Sequence, residues 1–226
     1  MNYFAHGVRF LDRPYFLAGT AIPDWLSVVD RQVRLRAKRV EPFAVGPATP
    51  EVELAAGVLQ HLRDDAWFHA TPAFARVSAE LTVLFRGALP ADDAHRPSFL
   101  GHIVTEMLLD AILIARNPRS LDAYYDTLLG LDGNLIERAV NRMARRTTDR
   151  LALFIPLFHR ERFLADYQDP ARLFVRLNQI LRRVKLTPLP PAVQNVLPDA
   201  WRIVEPSAGD LLPGAANPLA PPAGTA

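Results

Sequence analysis

The sequence contains no cysteine, and among its 26 basic residues only Lys38 and Lys185 are lysines. The absence of cysteine excludes a disulfide scaffold, a thiol nucleophile and any metal site with thiolate ligands. A metal ion in this protein would therefore have to be held by histidines and carboxylates. The positive charge is almost entirely arginine, whose planar guanidinium group makes bidentate contacts to phosphate or carboxylate. A GC-rich genome would produce the same bias.

The sequence also lacks a run of 18 uninterrupted apolar residues, and its N-terminus lacks a basic segment followed by an apolar one. These absences predict a protein without a transmembrane helix or signal peptide, and hence a cytoplasmic protein without a membrane partner. Hydrophobic residues make up 50% and charged residues 22% of the 226 positions. This composition is typical of a folded globular chain and excludes wholesale disorder.

Apolar residues recur at helical spacing between the prolines, and alternating strand patterns are nearly absent. The predicted helices cover residues 51–70, 73–86, 98–115, 120–129, 132–147, 149–166 and 170–184. Residues 26–40 fit either a helix or a strand. The chain after about Pro206 is rich in Pro, Ala and Gly and has one charged residue. We therefore predict an all-α protein with a single helical bundle domain over residues 1–205 and a disordered tail over residues 206–226.

Two polar stripes interrupt the apolar pattern of the predicted helices. Their members are His61, Asp65 and His69 in the first stripe and His102, Glu106 and Asp110 in the second. Residues spaced four apart lie along one face of a helix. Two such stripes on facing helices could build a metal site inside a bundle, and mixed imidazole and carboxylate ligands suit Mn, Fe or Zn. The alternative is that both stripes are solvated helix faces, although the second helix is otherwise too apolar to have an obvious wet face.

Two further candidate residues lie near the N-terminus. His6 and Asp24 each carry a group that can bind a metal ion, and Asp24 stands in the segment GTAIPDW. A turn containing Gly and Pro would hold this carboxylate at a rigid position. An Asp after a Pro is also ordinary turn chemistry, so each residue alone is a weak indication.

The N-terminal segment carries the most specific pattern in the chain. It opens Met1-Asn2-Tyr3-Phe4-Ala5-His6 and continues to Gly19-Thr20-Ala21-Ile22-Pro23-Asp24. This pattern resembles the acyl carrier protein phosphodiesterase family, whose members begin M-N-[FY]-x-A-H and carry G-x-x-x-x-D at the same separation. Scattered later motifs extend the resemblance over roughly residues 1–185. They are His61 with Asp65, His102 with Glu106, Tyr167-Gln168-Asp169, Leu177-Asn178 and Arg183.

The resemblance implies an all-α fold distantly related to the HD-domain metal phosphohydrolases. It also implies release of phosphopantetheine from acyl carrier protein with a divalent metal cofactor. Mn²⁺ is the expected ion, and Fe²⁺, Zn²⁺ and Mg²⁺ are the alternatives. The expected metal ligands are His6, Asp24, His61, Asp65 and His102. The candidates for the general acid or base are His69, Glu106 and Asp110.

The chain departs from the family pattern at two of these positions. His69 and His102 stand where acidic residues are expected, and the adjacent His-Asp pair that names the HD superfamily is absent. These departures keep a metal site possible but put the substrate in doubt. One alternative is therefore an HD-like hydrolase of a nucleotide or another small phosphoester. The other is a catalytically inactive helical module that binds an acidic partner.

Arginines supply the candidates for phosphate and partner binding. Arg63 and Arg183 could clamp a phosphate. A basic segment over residues 31–39 includes Arg34, Arg36 and Arg39, and a second basic cluster covers residues 138–150. Acyl carrier proteins are strongly acidic, so a basic face would steer and orient such a partner. Nucleic acid is a less suitable partner because aromatic residues are not interleaved with the arginines, and a simply solvated basic face is the remaining alternative.

Overall fold

The computed structural model describes residues 1–91 and 95–213, and these residues form helices without any strand. The predicted all-α class is therefore confirmed. The α-helices are α1 (Tyr3–Gly7), α2 (Pro14–Val29), α3 (Ala37–Val40), α4 (Pro50–Phe68), α5 (Pro72–Ala88), α6 (Pro97–Arg116), α7 (Pro118–Leu128), α8 (Gly133–Met143), α9 (Leu151–Glu161), α10 (Pro170–Arg183), α11 (Leu197–Val204) and α12 (Ala208–Leu211). Short 3-10 helices cover Val8–Phe10, Glu41–Phe43, Phe163–Gln168, Pro191–Val196 and Glu205–Ser207.

Proline opens six of the longer helices, because its missing N–H is not needed in the first helical turn. The six are α2, α4, α5, α6, α7 and α10. Pro23 is different, since it lies inside α2. The predicted turn at GTAIPDW is therefore wrong. Residues 16–22 are all buried, and their packing carries the helix through the proline, so that Asp24 lies in the second half of α2.

The structure divides into two compact units, which are described separately. The first unit comprises Met1–Trp67 and Asn117–Phe163. Its largest fully buried side chains include Trp25, Tyr124 and Phe158. Helices α2 and α4 lie close together at Gly19 and Gly57, where a Cβ atom added to Gly57 would lie 2.9 Å from the Cα of Gly19. This close approach brings the backbone of α2 next to the side chains of α4.

The second unit comprises Phe68–Arg116 and Leu164–Ala226. Helices α5 and α6 form its centre, and the backbone at Gly101 of α6 lies directly against Ser78 and Thr82 of α5. By length and composition α6 could cross a membrane, with a mean hydropathy of 1.6 over its most apolar window. Because 67% of that window is buried inside the protein, the same helix also fits the core of a globular unit.

Several boundaries differ from the sequence-based prediction, and the helix predicted over 149–166 ends at Glu161. The ambiguous residues 26–40 contain the end of α2 and the short α3. Helix α8 ends at Met143 rather than at 147, because Asn141 turns its side chain onto the backbone of Thr148 and closes a loop. The predicted tail over 206–226 begins too early, since Ala208, Leu211 and Leu212 are buried in the fold. Residues 214–226 of that tail lie outside the described residues, and a single domain over 1–205 stays a prediction.

Candidate metal centre

Three of the predicted metal ligands meet in the first unit, and we call His6, His61 and Asp65 the first cluster. Helix α1 supplies His6, and α4 supplies His61 and Asp65 one turn apart. One ligand atom from each residue lies within 4.8 Å of the others. The two imidazole rings stack with centroids 4.0 Å apart. Asp65 Oδ1 lies 3.2 Å from His6 Nε2, and its Oδ2 lies 3.4 Å from His61 Nε2.

A backbone carbonyl of α2 fixes the protonation of His61. The Nδ1 atom lies 2.8 Å from the carbonyl oxygen of Thr20, and since a carbonyl can only accept, Nδ1 must donate. In the neutral ring Nε2 then carries a lone pair that faces Asp65 Oδ2. Two acceptors at this distance repel each other unless a proton or a metal ion lies between them. A hydrogen bond from the other ring nitrogen to a carbonyl is also the usual support of a metal-binding histidine.

The ring nitrogens of His6 also face carboxylate oxygens, and the side chain of His6 is less exposed than that of His61. The His6 side chain is fully buried, and neither ring nitrogen makes a hydrogen bond of acceptable geometry. Asp64 Oδ2 lies 3.6 Å from Nδ1, and Asp65 Oδ1 lies 3.2 Å from Nε2. A buried polar atom without a hydrogen bond is costly, and coordination to a metal ion would remove that cost at Nε2. The first cluster therefore fits a divalent cation.

The residues that surround the first cluster include two that the sequence analysis missed. Asp64 Oδ1 accepts hydrogen bonds from Gln60 Nε2 at 2.8 Å and from Trp67 Nε1 at 3.2 Å. Asp64 Oδ2 accepts one from Arg9 Nη2 at 3.3 Å. Arg9 follows His6 by three residues, and this helical spacing could have identified it. Asp64 is buried, but it does not fall on the stripe at i and i+4, which includes Asp65 instead.

Positive charge around the two carboxylates keeps both ionised. Burial by itself would raise the pKa of Asp65. Contacts with His6 and His61 and the charge of the N-terminal ammonium group, which lies 2.7 Å from Oδ1, outweigh burial and hold that pKa far below its usual range. Burial also acts to raise the pKa of Asp64, but His6, the indole of Trp67 and the charge of Arg9 lower it overall. Both side chains are therefore anionic at neutral pH and suited to a cation.

His69, His102 and Glu106 meet in the second unit, and we call them the second cluster. Glu106 Oε1 lies 2.8 Å from His69 Nε2 and 3.3 Å from His102 Nε2. The predicted stripe of His61, Asp65 and His69 on one helix is wrong at its last member. Because α4 ends at Phe68, His69 lies beyond the helix and joins the histidine and carboxylate of α6.

Two other predicted ligands or catalytic residues lie outside both clusters. Asp110 is fully buried in α6 and is not grouped with Glu106 in the second cluster. Asp24 belongs to neither cluster.

Burial would raise the pKa of Glu106, but neighbouring positive charge and the hydrogen bonds of His102 and His69 lower it to about 2. An ionised Glu106 can act as a base or a ligand at neutral pH and is unsuited to be the general acid.

The two arginines predicted to hold phosphate are both exposed. Arg63 is exposed on α4 and donates to Gln60 Oε1 at 3.1 Å. Arg183 is an exposed residue at the end of α10 in the second unit. Arg9 is thus the arginine whose guanidinium group contacts a carboxylate beside the first cluster.

The two basic clusters of the sequence come together on the first unit. The guanidinium of Arg146 donates to Gln32, and that of Arg142 lies 5.4 Å from the ring centre of Phe43. Together they form a basic surface, which we define by its exposed cations Arg31, Arg34, Arg36, Lys38, Arg142, Arg145, Arg146 and Arg150. Arg39 has a different role, because its guanidinium donates to the carbonyls of Met143 and Ala144 at 3.4 and 3.3 Å. These hydrogen bonds link Arg39, and with it the segment of residues 31–39, to the end of α8.

Comparison with known proteins found no relative of this chain. No protein-family model, no curated protein and no solved structure matches the chain. The resemblance to the acyl carrier protein phosphodiesterases therefore rests on the motifs of the sequence alone.

Proposed function

We propose that this protein is a metal-dependent phosphodiester hydrolase with an HD-like helical fold, of the type that its N-terminal motifs resemble. The observation that carries the proposal is the first cluster. Two buried imidazoles and an ionised carboxylate converge there, and the tautomer of His61 set by Thr20 leaves Nε2 pointing at Asp65. This arrangement suits a cation, and mixed His and carboxylate ligands favour Mn²⁺, Fe²⁺ or Zn²⁺.

His6, His61 and Asp65 would hold the ion. A divalent cation at this place would polarise a phosphoryl oxygen and lower the pKa of water, which are the two needs of phosphodiester hydrolysis. Water would add to phosphorus, the ester P–O bond would break, and the proton given up by the water would pass to the leaving alkoxide. The chain itself supplies orientation and shielding. Thr20 fixes His61, and the 33% exposure of the Asp65 side chain, against 4% for His61, shows that solvent reaches the cluster at Asp65.

Arg9 is the residue suited to bind the phosphate. Its guanidinium is 22% exposed and is held by Asp64 beside the first cluster. Arginine binds phosphate oxygens through two parallel N–H groups. Asp64 would thus orient Arg9 while it remains close to Nδ1 of His6.

The basic surface favours an acidic protein as the substrate carrier. Eight exposed cations collected from two distant parts of the chain would attract a partner rich in Asp and Glu. Phosphopantetheinyl acyl carrier protein has this character and a phosphodiester, which makes it the proposed substrate. A small phosphoester would gain nothing from so extended a surface.

The proposal is tested by metal content and hydrolysis together. The protein is stripped with a chelator, reloaded with Mn²⁺ or Zn²⁺ and assayed on bis(4-nitrophenyl) phosphate and on phosphopantetheinyl acyl carrier protein. We expect His61→Ala and Asp65→Asn to abolish hydrolysis and remove a bound metal ion. The matched control is His159→Ala, because His159 lies in the same unit but belongs to neither cluster.

Two results would contradict the proposal. Unchanged metal content in both variants would show that the first cluster is not the metal site. Metal binding without hydrolysis of either phosphodiester would reject the enzyme and favour a binding module. Turnover of bis(4-nitrophenyl) phosphate but not of the carrier protein would replace the proposed substrate with a small phosphoester.

A further inference from the structure

The second cluster has no part in the proposed hydrolysis, which uses residues of the first unit. We propose that His69, His102 and Glu106 form a second metal site, which binds one divalent ion of the zinc type in the second unit. None of its residues belongs to the first cluster, so variants of the two clusters test the two proposals separately.

The donor atoms converge on one point. Nε2 of His69 and Nε2 of His102 face the same oxygen of Glu106 at 2.8 and 3.3 Å, and one ligand atom from each residue lies within 4.8 Å of the others. Two imidazoles and one glutamate are an established ligand set of zinc sites that keep a further position open. With Glu106 anionic, the bound divalent ion would leave the site with a single net positive charge.

Rigid elements hold the three ligands in place. His102 and Glu106 lie one turn apart on α6, and Gly101 packs this part of α6 against α5. The hydroxyl of Thr71 donates to the carbonyl of Phe68 at 2.8 Å and accepts from the N–H of Phe74 at 3.1 Å. The turn that carries His69 is therefore fixed between the end of α4 and the start of α5, and little reorganisation is needed to bind an ion.

Phe74 holds both imidazole rings. Its ring centre lies 4.9 Å from that of His69 and 4.9 Å from that of His102, with edge-to-face geometry at interplanar angles of 61° and 84°. The rings of the two histidines lie 4.8 Å apart. Such packing restricts ring rotation and so keeps both Nε2 atoms directed at Glu106.

Partial exposure of the site leaves room for water or an exogenous ligand. The side chains of His69, His102 and Glu106 are 34%, 45% and 14% exposed. Convergence of two imidazole nitrogens on one carboxylate oxygen is the arrangement of ligand atoms that a metal ion requires.

The imidazole-rich ligand set selects the class of ion. Imidazole suits zinc, cobalt, nickel and copper, while magnesium and calcium prefer sites made of oxygen atoms. We therefore expect Zn²⁺ to bind in preference to Mg²⁺. Co²⁺ can replace Zn²⁺ as a coloured probe whose visible absorption reports the coordination number.

The test uses the full-length protein, stripped with a chelator and titrated with Zn²⁺ by calorimetry and with Co²⁺ by absorption. We expect two equivalents in the wild type, with His102→Ala and His61→Ala each binding one. Glu106→Gln should weaken one of the two equivalents at least tenfold. His95→Ala is the matched control, because His95 lies in the second unit outside the cluster, and it should retain both equivalents.

Circular dichroism first confirms that each variant is helical. The second site is refuted if folded His102→Ala and Glu106→Gln bind the same number of ions with the same affinity as the wild type. The result separates the two proposals. Loss of an ion in His61→Ala but not in the second-cluster variants would leave only the metal site of the proposed hydrolase, and the reverse would leave only the second cluster.

Discussion

Replacing Gly57 with alanine should separate α2 from α4 and disturb the first cluster. The Cβ of an alanine at this position would lie 2.9 Å from the Cα of Gly19 and 3.0 Å from the carbonyl carbon of Phe16. These neighbours are backbone atoms of α2, which no side-chain rotation can move. The helices must therefore shift apart as rigid bodies.

The expected magnitude follows from the cost of an added methyl group in a close-packed interface. Overpacking typically destabilises a protein by about 1–3 kcal/mol, and we expect the upper end, about 3 kcal/mol, because both clashing partners are backbone. For a chain of this size that corresponds to a fall in Tm of roughly 6–12 °C. Movement of α2 also withdraws the carbonyl of Thr20 from His61, so the metal affinity of the first cluster should fall by about 10–100-fold.

The assay combines thermal unfolding followed by circular dichroism with metal titration of the folded protein. The matched control is Gly87→Ala in α5, where an added Cβ would meet nothing within 4 Å. This change should leave metal binding unaltered and raise stability by about 0.5–1 kcal/mol, because alanine is the better helix former. A Gly57→Ala protein as stable as the wild type, with the same metal affinity, would refute the close contact of α2 and α4.

Three further changes test other parts of the structure. In metal-free protein the stabilisation from Glu106 is complete above its unfolded-state pKa of about 4.5 and is lost as the pH falls towards its folded-state pKa of about 2; the loss should be at most about 3 kcal/mol. Glu106→Gln should remove this part of the acid unfolding curve, and an identical curve would contradict the assignment. Arg39→Ala should cost about 1–2 kcal/mol in denaturant unfolding through its lost carbonyl contacts, whereas exposed Arg34→Ala should change stability by less than about 0.5 kcal/mol. Asp132→Ala should cost about 1 kcal/mol by removing the cap that accepts from the first turn of α8, and an unchanged unfolding midpoint would show that this cap contributes nothing.

The positions of four of the longer helices were predictable because local signals and burial agree, whereas α2 and α11 were not predicted. Helical apolar spacing and proline at the first position identified α4, α5, α6 and α10 to within a few residues. The helix ends were less predictable, because side-chain contacts at a distance decide them. Asn141 ends α8 by bonding the backbone of Thr148, and periodicity alone cannot show that contact.

The start of the predicted tail was placed too early for a related reason. The composition of this segment, rich in Pro, Ala and Gly, is typical of disorder. The segment also contains two adjacent leucines. Leu211 and Leu212 are nevertheless almost completely buried. Burial of two leucines offsets part of the entropy lost by ordering the segment, so composition averaged over 21 residues placed the boundary too early.

The site was predictable only where its residues share one helix. The pairs His61 with Asp65 and His102 with Glu106 follow from one-turn spacing. Recognition of His6 needed the N-terminal motif, since nothing in local spacing relates α1 to α4. His69 was misplaced, although the Thr71-Pro72 pair after it signals a new helix start and hence an earlier end of α4.

The burial of the two clusters argues for different roles. In the first cluster the side chains of His6 and His61 are 0% and 4% exposed, and solvent reaches it beside Asp65. Electrostatic interactions are stronger where water is excluded, so a cation there would act strongly on a phosphate held by Arg9. The imidazoles of the second cluster are a third or more exposed, and an ion there would exchange its ligands with bulk water. The proposed hydrolysis therefore fits the first cluster better than the second.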